Sequence, residues 1–174
     1  MQSVFPIKKT IIVRHKKENL KKCSLRGLES RDDLLFLKYP NTKLPNLDEY
    51  ILLSFDAPLL SKEDHQRGLL FIDSTWRYAE TMKKTLSPQF PPTLIKRSLP
   101  EEMTTAYPRR QLDCPHPERG LATVEALYAA YFILGYSCEE LLNHYHWKDL
   151  FVDLNAKVFL NKTDSQKDTP LLNK

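Results

Sequence analysis

The sequence predicts an α/β layer fold, and three observations carry that prediction. Short runs of β-branched and leucine-rich residues alternate along the chain with longer stretches of helical periodicity. Glycines and prolines punctuate the boundaries of these segments instead of interrupting them. The length of 174 residues, 41% of them hydrophobic, is one domain's worth of chain and buries a core without disulfide or metal staples.

The first strand is expected at residues 10–13, a β-branched run bounded by lysines. Residues 26–37 mix leucines with charges at helical spacing, and Pro40, Asn41, Pro45 and Asn46 then mark a loop. Residues 50–55 read as a buried strand. Residues 61–64 read as a short capped helix, with a hydroxyl for the free N–H groups and acids in the first turn, ended by Gly68. Residues 69–72 are the clearest buried strand. They run into Asp73, Ser74 and Thr75, the last two suited to cap a helix from Trp76 to about Leu86. Pro88, Pro91 and Pro92 make a loop before a strand at 93–99. Residues 104–120 form a long proline-rich loop, the kind that carries function. Thr123 opens the strongest helix, ended by Gly135. Ser137-Cys138-Glu139-Glu140 reads as a capping box for a last helix to about Leu160, with Trp147 and Phe151 on one face. The final dozen residues are polar and expected to fray.

Composition excludes several classes. No apolar run approaches the ~18 residues of a membrane span, so no membrane role is expected. The start, MQSVFPIKKT, has no apolar signal core, and Cys23, Cys114 and Cys138 form no C-x-x-C pair; a reduced cytoplasmic location is expected. Gly27, Gly68, Gly120 and Gly135 fit neither a dinucleotide fingerprint nor a P-loop. Cys114-Pro115-His116, with His144 and His146, lacks a metal-ligand spacing, so no metal is expected and surface histidines explain the set. A Cys23 nucleophile with His15 as base can be drawn without other support.

The net charge is +4, and it is unevenly placed: residues 1–50 hold 11 Lys/Arg against 6 Asp/Glu. Lys8, Lys9, Arg14, Lys16, Lys17, Lys21, Lys22, Arg26 and Arg31 are close enough in sequence to form one face. Such a face concentrates phosphate-bearing partners, or else is a solvated surface that keeps the protein soluble. Asp73 also has two readings. A carboxylate directly after four apolar residues is costly to bury unless something uses it. It is either a helix N-cap or a functional group with Trp76 as an aromatic wall beside it.

Ile72-Asp73-Ser74-Thr75-Trp76 resembles the D-x-x-W signature of the superfamily that holds DTW-domain proteins and the small-subunit rRNA aminocarboxypropyltransferases. Other segments agree in order and spacing from about residue 10 to 155. His15 with Lys21-Lys22-Cys23-Ser24 resembles H…K-K-C-[ST], and Leu60-Ser61-Lys62-Glu63-Asp64 resembles L-S-P-A-D. Arg97-Ser98-Leu99-Pro100 resembles R-x-L-P, and Leu121 to Leu127 resembles L-S-x-x-E-A-L. Residues 145–151 with Leu154-Asn155 resemble K-W-G-x-x-F…L-N. Between Ala106 and Thr123 the chain departs from the rRNA enzymes. There Tyr107, Arg109 and Arg110 look closer to the DTW-domain tRNA enzymes.

The resemblance implies a SPOUT-like, trefoil-knotted α/β domain with a parallel-rich central sheet. Residues 1–48 would be a basic, RNA-facing segment of that fold, 49–161 the core that binds S-adenosylmethionine (SAM), and 162–174 a flexible tail. It implies transfer of SAM's 3-amino-3-carboxypropyl group to N3 of a uridine or pseudouridine, with small-subunit rRNA or a pre-ribosomal particle as partner and tRNA second. The protein would act as a monomer. Trp76 would hold the methyl and sulfonium side so that the propyl arm faces the nucleophile. Ser24 would bond the SAM carboxylate; the backbone at Ile72, Leu99 and the loop before Thr123 would hold adenine and ribose. Thr123 itself is expected first as a helix cap. Glu125 either meets the SAM amino group or simply favours the helix dipole. Asp73 would orient the substrate N3–H with partial base character. Lys8, Lys9, Lys16, Lys17, Lys21, Lys22, Arg109, Arg110 and Arg119 would face RNA phosphates, with Tyr107 stacking on a base. Methyl transfer on the same fold, and a non-catalytic RNA-binding assembly factor, are the competing readings.

Overall fold

Strands that are apolar along their whole length, without alternation, fit a parallel sheet covered on both faces. The computed structural model describes residues 5–108 and 120–165. Five strands form one sheet: β1 (Thr10–His15), β2 (Leu34–Tyr39), β3 (Tyr50–Leu53), β4 (Gly68–Asp73) and β5 (Ile95–Arg97). Their order is β2-β1-β4-β3-β5, and every pairing is parallel. The register sets Val13 beside Ile72 and Arg14 beside Asp73, so β1 and β4 end level with one another.

Alternation along each strand divides the core in two. Ile12, Ile51, Leu69 and Phe71 meet Val124, Leu127 and Tyr131 of α2 (Thr123–Leu134). Ile11, Val13, Leu52 and Leu70 meet Met82 and Leu86 of α1 (Trp76–Leu86). The result is helix, sheet, helix. Because α2 is apolar nearly all round, it needs cover on its outer side as well. α3 (Lys148–Leu154) and α4 (Ala156–Ser165) supply it through Phe151 and Phe159, the latter edge-on to Tyr128 and Phe132.

Two expected elements are corrected. Residues 26–37 are not a helix: turns lead into β2, which pairs with β1 over six consecutive positions from Leu34 to Tyr39. The parallel ladder and the burial of Leu34 and Tyr39 outweigh a weak local pattern. The capping box at 137–140 is not used, since Glu140 takes a left-handed conformation (φ 66°) and the chain turns until Lys148. The expected last helix is also split at Asn155. Its amide accepts the N–H of Thr104 and donates to the carbonyls of Thr104 and Phe151, all at 2.8 Å, which fastens segment 104 to the helices. α4 continues to Ser165, so the first residues of the expected tail are helical.

Candidate functional site

A parallel sheet delivers all its strand ends to one edge, and ligands of open α/β sheets bind there. At this edge lies a cavity of about 730 Å³, within the range of small-molecule sites. The ends of β3 and β4, the turn after β1, segment 98–108 and the start of α2 enclose it. Leu53, Phe71, Leu99, Met103 and Leu121 give it apolar walls; Glu18, Lys22, Ser24, Asp73 and Thr123 give it polar ones.

Asp73 is 5% exposed, and each of its oxygens is engaged. Oδ1 accepts the Thr123 hydroxyl at 2.8 Å. Oδ2 accepts Arg14 Nε at 2.9 Å and the Cys23 thiol at 3.6 Å. Arg14 is itself buried; its Nη1 reaches Glu29 at 3.1 Å and its guanidinium lies 4.6 Å from the Phe36 ring centre. Burial pulls the Arg14 pKa down, but Cys23, once ionised at high pH, and the Asp73 carboxylate leave it above the ordinary value. Burial first, and Asp73 second, push the Cys23 thiol up to about 12. A neutral, buried thiol is not a nucleophile. His15 is no partner for it either, because its ring stacks on Tyr78 at 4.5 Å.

Thr123 is corrected from cap to bridge: Ala122 occupies the N-cap position, and the Thr123 hydroxyl reaches across to Asp73. Glu125 is fully buried and accepts four donors: the Thr105 hydroxyl (2.6 Å), the N–H groups of Ala106 (2.8 Å) and Ala122 (2.7 Å), and the Tyr145 hydroxyl (2.8 Å). Four donors fill a carboxylate, so Glu125 fastens the cavity wall. Ser24 Oγ accepts the N–H of Val124 at 3.3 Å, tying its turn to the start of α2.

Ser24, Ile72, Asp73, Leu99, Thr123, Lys22 and Tyr107 therefore line one cavity. Trp76 opens α1 directly beyond it. Tyr107 also packs edge-on to Trp147 at 5.1 Å. Lys16, Lys17, Lys21 and Lys22 stand on the turn after β1. Lys8 and Lys9 are not with them. The six residues of β1 intervene, about 20 Å at ~3.3 Å per residue. Lys8 is engaged by Glu49 and by the Asp48 carbonyl, both at 2.9 Å. Arg109, Arg110 and Arg119, with Cys114 and His116, lie outside the described residues. Among the described residues, no group of three His, Cys, Asp or Glu is placed to hold a metal, and no helix is long and apolar enough to cross a membrane.

Sequence reasoning missed two residues. Arg14 belongs by sequence to the basic stretch, yet as a lone cation inside the run Ile-Ile-Val-Arg-His it also carries the signal of a buried ion pair. Glu18, among surface lysines, carried no signal, yet its Oε1 accepts the N–H of Thr75 at 3.0 Å and its side chain lines the cavity.

The fold has a counterpart among solved structures. The SAM-dependent rRNA:acp-transferase Tsr3 from Vulcanisaeta distributa shares the fold, with a TM-score of 0.67 at 21% identity over 91% of this chain and 84% of that one. No curated protein matches the chain. The family model described as "ribosome biogenesis protein, C-terminal" matches residues 51–173, which include most of β3, all of β4 and β5, both sheet-covering helices and most of the cavity wall. With that match running over most of its length, the chain belongs to this family of ribosome biogenesis proteins.

Proposed function

We propose that the protein transfers the 3-amino-3-carboxypropyl group of SAM to N3 of a uridine or pseudouridine in small-subunit rRNA and releases 5′-methylthioadenosine. The observation that carries this reading is the mixed chemistry of the cavity. SAM has an apolar base, a sulfonium cation and a zwitterionic amino acid, and the walls offer a partner for each. Leu99, Met103 and Leu121 suit the adenine. Asp73 suits positive charge, and Ser24 and Lys22 suit the carboxylate. SAM supplies an electrophilic carbon activated by the sulfonium; the protein's task is to place it. We assign Trp76 the methyl and sulfonium side, and the backbone at Ile72 and Leu99 the adenosine. Asp73, with both oxygens engaged, orients: it fixes Thr123 and, through Arg14, the turn that carries Ser24.

Membership of a ribosome biogenesis family and a fold shared with a named rRNA:acp-transferase support the rRNA substrate. The reading includes a SPOUT-like, trefoil-knotted chain path, supported by the all-parallel sheet with its non-sequential strand order. It also includes a monomer working in the cytoplasm, with residues 1–48 as a basic, RNA-facing segment of the same fold and 49–161 as the SAM-binding core. The test is incubation with SAM and RNA from cells lacking the protein. Methylthioadenosine with an aminocarboxypropyl nucleoside in the rRNA pool is the expected outcome. A product in the tRNA pool would move the substrate, S-adenosylhomocysteine would make the enzyme a methyltransferase, and unconsumed SAM would leave an assembly factor.

A further inference from the structure

We propose that Glu18, not Asp73, accepts the N3 proton of the target base during transfer, an inference that rests on the reading above. Glu18 occupies a boundary position. Its backbone lies on the turn between Lys16 and Lys22, on the side proposed for RNA, while its side chain lines the cavity. A proton leaving the base at that boundary has a carboxylate facing it. The carboxylate is also held in place, since Oε1 accepts the N–H of Thr75 at the N-cap of α1. Among the described side chains no donor reaches Oε2, which leaves it for the substrate.

Asp73 is the poorer acceptor on the same geometry. Thr123 holds its Oδ1, and Arg14 with Cys23 holds its Oδ2. Adding a proton there would neutralise one of the two carboxylates that a buried guanidinium pairs with, a costly change. The groups around Glu18 agree with its role. Burial most strongly, and Asp73 on β4 after it, favour the protonated form, while the Thr75 N–H and Arg14 on β1 oppose it. The balance lies above the ordinary glutamate value, nearer to where a base works best at neutral pH. Lys22 and Cys23 from the same turn and Lys83 from α1 share the cavity, while Lys17 lies 5.6 Å from the Tyr78 ring centre. In the transfer, the bond from N3 to carbon forms as the carbon–sulfur bond breaks. That bonding pair stays with sulfur, and the N3 proton passes to Glu18 and then to solvent.

The test is Glu18→Gln, which keeps an acceptor for Thr75, with methylthioadenosine release and equilibrium SAM binding measured side by side across pH. The expected result is release slowed about 100-fold or more with SAM affinity within about threefold of wild type. The acid limb of the rate profile, where the ionised base is lost as pH falls, should vanish in the variant. Glu18→Ala should recover part of its rate with added acetate. Turnover within about threefold of wild type, or SAM affinity lost in step with rate in both variants, would overturn the assignment. Wild-type protein that releases no methylthioadenosine would instead overturn the transfer reading itself.

Discussion

Arg14 is a single cation inside an otherwise apolar strand, and the cavity's geometry depends on it. It joins Asp73 on β4 to Glu29 in the connection between β1 and β2, so one side chain fixes two walls. Arg14→Ala should cost about 3–5 kcal/mol in urea denaturation, because it leaves the Asp73 carboxylate buried and unpaired. Arg14→Lys should restore only part of this, since an ammonium lacks the fork that reaches both acids. His15 gives a pH signature. Burial first, then Lys17 and Lys16, hold its pKa below the ordinary value. Folding therefore favours the neutral ring; that contribution is present above about pH 6.5 and is lost as pH falls through this value toward the folded pKa. Between about pH 7 and pH 5, wild-type stability should fall more steeply than that of His15→Phe, as thermal melts at each pH would read.

At the scale of elements, the start of α2 organises the site. Its first turn presents Thr123 to Asp73, Val124 to Ser24 and Glu125 to the segment at 105–106. The other end of the helix stops at Gly135, which adopts φ 77° with open space where a Cβ would stand. Gly135→Ala should therefore cost about 1 kcal/mol from left-handed strain alone, with no steric addition, and leave SAM affinity unchanged. An unchanged melting temperature would show that the helix end relaxes freely. Asn155 does for segment 104 what Glu125 does for segment 106. The two anchors make the wall beside Met103 part of the rigid body.

At the scale of the whole molecule, β1 separates the basic residues into two groups. Lys16, Lys17, Lys21 and Lys22 stand on the turn after β1, where Lys22 lines the cavity, and Lys8 and Lys9 at the opposite end of the strand. Changing the first four to Glu should weaken RNA binding and flatten its salt dependence by about one unit of log–log slope for each phosphate no longer neutralised. Lys8→Glu, at the far end of the strand beside Glu49, should leave RNA binding as it is. Equal weakening from both changes in a filter-binding titration would contradict a face confined to one edge.

The amino-acid sequence by itself determined the strands beginning at Thr10 and Tyr50 and the one over 69–72, the helices opening at Trp76 and Thr123, and the placing of Asp73 at a strand end. Each of these rests on signals within a few residues: an apolar run, a glycine stop, a change of period. Tertiary structure decided what local signals leave balanced. Residues 34–39 became a strand because β1 offered a parallel partner, and the last helix broke because Asn155 had a carbonyl and an N–H to meet in segment 104. The site belongs to the same class. Asp73 lies 59 residues from Arg14 and 50 from Thr123, and the three meet only at the shared edge of the sheet. The reason is physical: periodicity reports which face of an element is apolar, whereas a buried ion pair depends on which elements the folded chain sets side by side.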